Sequence, residues 1–313
     1  MEDYNFSQEK PELIDHKPKT GLSLTVFSIA LFVLVFIVVL GDELSFIIFI
    51  LTVLLVHESG HFIAMKVFKY ENVRMLFVPL MGAFVQGSKK IYSQKQSFLV
   101  TVAGPFPGIL IGVILMWCGT VFHSIWMMEL SGLFLMLNVI NLLPLDPLDG
   151  GQMFKLFFRR NHELFLMIFA FISSIFMIGV GWMMSSSIIM VFGFFMAFRV
   201  RAMQKRYQMH KELKEVDVNY TTTYKLLSYG DFIKIKNVLI ENTPTLRQYI
   251  EQVSQDESGD VIANQVNNVL DVPLNRDASI TFKISVLLLW VISFITPVLL
   301  FFYLDLKWYF DAV

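Results

Sequence analysis

Leu51-Thr-Val-Leu-Leu-Val-His57-Glu58-Ser59-Gly60-His61-Phe-Ile-Ala-Met65 is the stretch that decides how the chain is read. An α-helix turns once in about 3.6 residues, so His57 and His61 fall on one face a single turn apart. Two imidazoles at that spacing can hold one Zn²⁺, and Glu58, displaced around the helix, can reach a water on the metal. The stretch sits in an apolar run from Phe46 to Phe68 that contains no other acidic residue. A charged group near the centre of a bilayer costs roughly 3 kcal/mol or more. The bland alternatives are a chance H-E-x-x-H or an interhelical hydrogen-bond cluster. That cost makes them the rarer readings.

Two histidines leave a catalytic zinc short of its usual three protein ligands. The best third ligand lies in Asn138-Val-Ile-Asn141-Leu-Leu-Pro144-Leu-Asp146-Pro147-Leu148-Asp149-Gly150-Gly151. Pro144 and Pro147 interrupt the helix, and Gly150-Gly151 permit a sharp local backbone. Irregular backbone at membrane depth must be buried in protein or line a wet cavity. By itself an Asp beside Gly is a cap or turn residue. Paired with the histidines, Asp149 becomes a ligand, with Asp146 the runner-up.

The combination of His57-Glu58-Ser-Gly-His61 with Asn141-x-x-Pro144-x-x-x-Leu148-Asp149-Gly150 resembles the site-2 protease family of intramembrane zinc metalloproteases. Gly104-Pro105-Phe-Pro107-Gly108 resembles the Gly-Pro turn that family carries between its metal-binding helices. The resemblance covers roughly residues 44–152, a three-helix core. It implies an enzyme with one Zn²⁺ per chain on His57, His61 and Asp149, which activates water and polarises the scissile carbonyl. Glu58 then takes the water's proton and delivers it to the leaving amine. Asn141, about two helical turns before Asp149, steadies the oxyanion or the substrate backbone; Asn138 reads as interhelical glue. The substrate implied is a single-span or other membrane protein, cut within or beside its transmembrane segment in regulated intramembrane proteolysis, with a membrane regulatory partner conceivable. Rival readings are a catalytically silent relative that binds membrane partners, or a metal-binding transport protein. The first should have lost Glu58 or a ligand; the second should show polar positions repeated on several helices.

Composition agrees with a membrane protein: 55% hydrophobic, 31 Phe and 16% charged residues in 313. A net charge of −1 argues against nucleic acid as a partner. The single cysteine, Cys118, excludes an internal disulfide and reads as packing. Residues 1–20 read as a cytosolic tail. An accessory transmembrane helix and acidic turn occupy 21–43, the helix retained rather than cleaved as a signal peptide. The metalloprotease core follows over 44–152 and two accessory helices over 153–200. A small cytosolic segment fills 201–280, and a C-terminal helix and tail 281–313. The expected fold is an all-α polytopic membrane protein of about seven transmembrane helices, at about 21–40, 44–68, 97–120, 125–146, 163–183, 185–199 and 283–304.

Lysine and arginine crowd the 66–96 loop and follow the fourth and sixth spans, whereas 41–43, 121–126 and the turn near 184 have none. The positive-inside rule makes the basic loops, the amino terminus and 201–280 cytosolic. Lys66 follows His61, and Lys155 follows Asp149, by nearly the same number of residues. Two parallel helices then present all three ligands at one depth, about 8–9 Å from the cytosolic boundary. A bacterial plasma membrane is the expected host.

The segment Val73 to Gly87 is apolar, too short to span, and broken by Pro79 and Gly82. Its pattern suits a short membrane-associated β-hairpin, with a lipid-skimming loop as the alternative. The resemblance favours a re-entrant hairpin. Its free edge, with Val78 and Val85 as candidates, could receive an unwound substrate as an added strand. In the soluble segment, about 228–240 and 245–253 read as short helices capped by Asp231 and by Thr243 or Thr245, and 255–278 reads as a linker. His16, His123, His162 and His210 read as ordinary.

Overall fold

Unbroken runs of Leu, Ile, Val and Phe form the long helices of the computed structural model, which describes residues 10–13, 22–40, 44–79, 82–145, 148–157, 162–183, 185, 187–252, 255–304 and 306–311. In chain order these contain α1 (Leu22–Leu40), α2 (Leu44–Val67), β1 (Glu71–Val78), β2 (Gly82–Ser88), β3 (Tyr92–Ser93), α3 (Gln94–Ala103), α4 (Pro105–Phe122) and α5 (Ile125–Asn141). There follow α6 (Asp149–Phe157), α7 (His162–Met183), α8 (Ser187–Glu215), α9 (Tyr229–Asn242), α10 (Pro244–Gln252), α11 (Gln255–Val269), β4 (Leu274–Asn275), α12 (Ile280–Tyr303) and α13 (Lys307–Phe310).

Among the described residues, four helical runs are long and apolar enough to cross a membrane: Leu44–Val67, Gln94–Phe122, Glu163–Met183 and Ile280–Leu300. Two shorter apolar helices cover Ser23–Val38 and Ile125–Asn141. Large apolar side chains stand outward on these helices; Val38, Trp182 and Phe302 are each more than three-quarters exposed. Apolar surface on that scale needs lipid rather than water around it. This is an integral membrane protein. The stretch expected to span over 185–199 does not end there: α8 runs on from it as a polar helix to Glu215.

The 73–87 segment pairs with itself. β1 and β2 are antiparallel, with Met75 opposite Val85 and Phe77 opposite Ala83. Met75, Phe77, Ala83 and Val85 pack on Phe32 and Phe36 of α1 and on Leu51, Leu54, Leu55 and Phe62 of α2. The hairpin therefore lies along the middle of α2 rather than beyond its end. Its two edges differ. The Met75 carbonyl accepts from Thr25 Oγ1 at 2.8 Å, and the Phe77 amide donates to Ser28 Oγ at 3.1 Å. Successive residues in a strand aim their backbone groups at opposite edges. With 75 and 77 aimed at α1, Val78 aims at β2, and Ala83 and Val85 aim away from β1. Val78 is thus a correction to the expected free edge. Only β2 has one, and among the described residues no other segment hydrogen-bonds to the backbone of Ala83 or Val85.

α2 and α5 run parallel. Phe46 and Phe49 share a cavity wall with Met128 and Gly132, and His57 meets Asn138 further along both helices. α4 lies beside α5 after a reversal at His123, whose left-handed backbone (φ 50°) caps α4.

Residues beyond the spans form a unit with its own core, Leu213, Tyr224, Phe232, Ile235, Leu239 and Val266 among its buried members. Two expected short helices are present as α9 and α10. Ser228, rather than Asp231, caps α9 by accepting the Asp231 amide. The expected linker is in part a helix, α11, because Ile262, Ala263, Val266 and Val269 recur at helical spacing and are buried. Polar Asn and Asp on its outer face disguise it. Lys10 donates to the Tyr224 and Leu227 carbonyls, and the Tyr224 hydroxyl donates to the Pro11 carbonyl at 2.8 Å. Burial pushes that hydroxyl up to about 12, so it remains a donor throughout the physiological range. His210 is not ordinary. It is fully buried, is bonded to Glu163 at the start of α7 and to the Val269 carbonyl, and stacks on Tyr220 at 4.2 Å. It fastens the soluble unit to a membrane helix.

Candidate metal centre

His57, Glu58 and His61 are all buried on α2, His57 one helical turn and His61 about two turns after the buried Val53. The partner surface is the junction of α3 and α4. Pro107 has no N–H to offer the Ala103 carbonyl, which instead lies against Gly60: a Cβ there would fall 1.8 Å from that oxygen. A Cβ on Gly104 would fall 2.2 Å from His61 Nε2. The Gly-Pro turn therefore brings backbone onto the histidine helix, closer than any side chain would allow.

α5 ends at Asn141, and α6 begins at Asp149. Between them the Leu142 carbonyl accepts from Trp290 Nε1 at 2.7 Å. Gly150 packs on the same turn; a Cβ there would meet the Leu142 carbonyl at 2.1 Å. This holds Asp149 against α2. Asp149 Oδ2 lies 3.0 Å from His57 Nε2 and 3.2 Å from His61 Nε2, and the two Nε2 atoms lie 3.2 Å apart. Asp146 falls outside the described residues.

The other ring nitrogens decide the protonation. His61 Nδ1 faces the Val100 carbonyl at 2.8 Å, which can only accept. His57 Nδ1 faces Asn138 Oδ1 at 2.8 Å. Both Nδ1 atoms therefore carry hydrogen, and each ring is left with its Nε2 facing Asp149 Oδ2 and the other Nε2. Protonating one ring would satisfy Asp149 from one side and leave the second lone pair facing it. A single dication satisfies all three. Ligands at about 2.0–2.1 Å from a tetrahedral zinc stand about 3.3 Å apart, close to the triangle observed. The donor set fits zinc.

Residues 45–134 match the model of peptidase family M50. This is the resemblance read from the motifs, borne out. The M50 match includes His57, Glu58 and His61 and ends before Asn138, Asn141 and Asp149, so the third ligand stands on geometry. Among solved structures the chain is similar to a site-2 protease from Methanocaldococcus jannaschii, at 19% identity and a TM-score of 0.44, over 57% of this chain and 87% of that one. No curated protein matches the chain.

Glu58 is 5% exposed, and its carboxylate has no hydrogen-bond partner among the described residues. Asn141 is half-buried at the end of α5, its side chain likewise without a partner among them. A second group, Glu163, His210 and Asp271, also converges. There Arg206 already pairs with Asp271 at 2.7 Å, and both nitrogens of His210 are engaged. That cluster is an ion-paired fastening.

Proposed function

We propose that this protein is an intramembrane zinc metalloprotease that hydrolyses a peptide bond within or beside a transmembrane segment of another membrane protein. The observation that carries the reading is the triangle of three lone-pair-bearing atoms at 3.0–3.2 Å inside an apolar helix bundle. A dication at its centre would satisfy all three atoms at once. His57, His61 and Asp149 would hold one zinc per chain, and the zinc would supply an acidified water and Lewis-acid polarisation of the scissile carbonyl. Glu58, buried beside His57 and unpartnered, accepts a proton and returns it to the leaving amine. Asn141 holds the substrate backbone or the developing oxyanion, in line with the resemblance.

A helical substrate must be unwound before its carbonyl is accessible, and each bare backbone group in hydrocarbon costs several kcal/mol. The outer edge of β2 supplies replacement partners along the same helix that carries the histidines. Basic loops orient the site towards the cytosol. The soluble unit and the amino terminus share that side, and a bacterial plasma membrane is the host we infer. In cells, replacing the protein by Glu58→Gln should cause a membrane-embedded protein to accumulate intact, and its cleaved fragment to vanish. Quantitative comparison of membrane fractions reads both. Identical fractions from the two strains under conditions in which the wild type is expressed would count against proteolysis and leave a metal-binding role.

A further inference from the structure

We infer that Asn138 is a positioning residue that fixes the tautomer and aim of His57, and that Gly108 provides the space in which it does so. This rests on the metalloprotease reading above. Asn138 is completely buried on α5. Its Nδ2 donates to the Phe134 carbonyl at 2.7 Å, leaving Oδ1 to face His57 Nδ1 at 2.8 Å. The amide cannot turn over: doing so would set its oxygen against the Phe134 carbonyl and its NH₂ against the His57 Nδ1 hydrogen. The Phe134 carbonyl thus determines, through one side chain, which nitrogen of His57 is free for metal.

The amide is also walled in. A Cβ on Gly108 would lie 2.2 Å from Asn138 Nδ2 and 2.4 Å from its Oδ1. Ser131 Oγ, two turns earlier on α5, donates to the Gly112 carbonyl at 2.8 Å and holds the two helices at that spacing. Metal-bound histidines usually give their second N–H to a carboxylate, a carbonyl or a water. At this depth a carboxylate would add a charge that is costly to bury, and an amide does the same work while neutral. His61 is served by a backbone carbonyl, so His57 is the ligand whose aim depends on a side chain.

The test is zinc affinity of the purified full-length protein, measured by competition with a chelator and paired with the absorption spectrum of the cobalt form. Asn138→Leu should weaken zinc about 10–100-fold and alter the cobalt spectrum. Asn138→Asp, whose carboxyl at this depth is held as the neutral acid and so keeps both an acceptor for Nδ1 and an O–H donor to the Phe134 carbonyl, should lose far less than Asn138→Leu. Gly108→Ala, which leaves the amide present but displaced, should fall towards Asn138→Leu. Asn138→Ala cannot clash and replaces the leucine variant if that does not fold. Wild-type affinity in the leucine or alanine variant overturns the inference, as does an equal loss in Asn138→Asp. The comparison of wild type with Asp149→Ala in the same assay isolates the underlying reading. If those two bind zinc alike, the metal site itself has been misassigned and the inference falls with it.

Discussion

Glu58→Gln is expected to keep zinc at wild-type stoichiometry while hydrolysis falls about 10²–10⁴-fold, the usual worth of a general base. Glutamine preserves the volume and reach of the side chain and removes only its capacity to take a proton. Glu58 is next to His57 but is not one of the three converging groups, so metal retention should be unaffected. The measurement is cleavage of a purified single-span substrate, with zinc content determined on the same preparation. A variant that loses zinc together with activity would make Glu58 a ligand. A variant that cuts at the wild-type rate would move the base elsewhere.

The second large effect is expected on the hairpin. Val85→Pro should reduce cleavage of a transmembrane substrate about tenfold or more, the equivalent of one or two backbone hydrogen bonds lost with their alignment. The Val85 amide points away from β1, so proline removes a donor from the open edge and none from the hairpin. Its ring also remains apolar where Val85 packs in the cluster with Phe32, Met75 and Phe77. Zinc content should not change. A short peptide that is already extended should be less affected, because it needs alignment but no unwinding. Val78→Pro is the contrasting variant. Its amide faces β2, so this change should damage the hairpin itself and lower thermal stability. Wild-type cleavage by Val85→Pro would mean that substrate is held at some other surface.

These two sites differ in how visible they are in sequence. His57, Glu58, His61 and Asp149 can be singled out in sequence because metal chemistry demands particular residue types and a helix particular spacings, and the structure brings His57, His61 and Asp149 together. The hairpin is legible as a hairpin from Pro79 and Gly82. Which edge it leaves open is not, since that depends on Thr25 and Ser28, two hydroxyls of a helix fifty residues earlier in the chain. The Val100 carbonyl that holds His61 has no sequence signature at all. Asn138 stands out as a polar residue in an apolar helix, but one amide has many conceivable partners, and its pairing with His57 follows only once α2 and α5 are packed together. α11 was hidden for a different reason: its buried positions are few, and the Asn and Asp residues between them imitate a linker. His210 looks solvated in sequence because its partners, Glu163 and Val269, come from elements far apart in the chain.

The central claim is that three side chains from two separated motifs hold one metal ion. Zinc content of the purified wild type and of Asp149→Ala, measured after dialysis against a moderate chelator, tests it most directly. The account predicts about one zinc per chain in the wild type, and a large loss in Asp149→Ala as one of three protein ligands goes. A wild type without zinc, or an Asp149→Ala protein that retains zinc as tightly as the wild type, would contradict it.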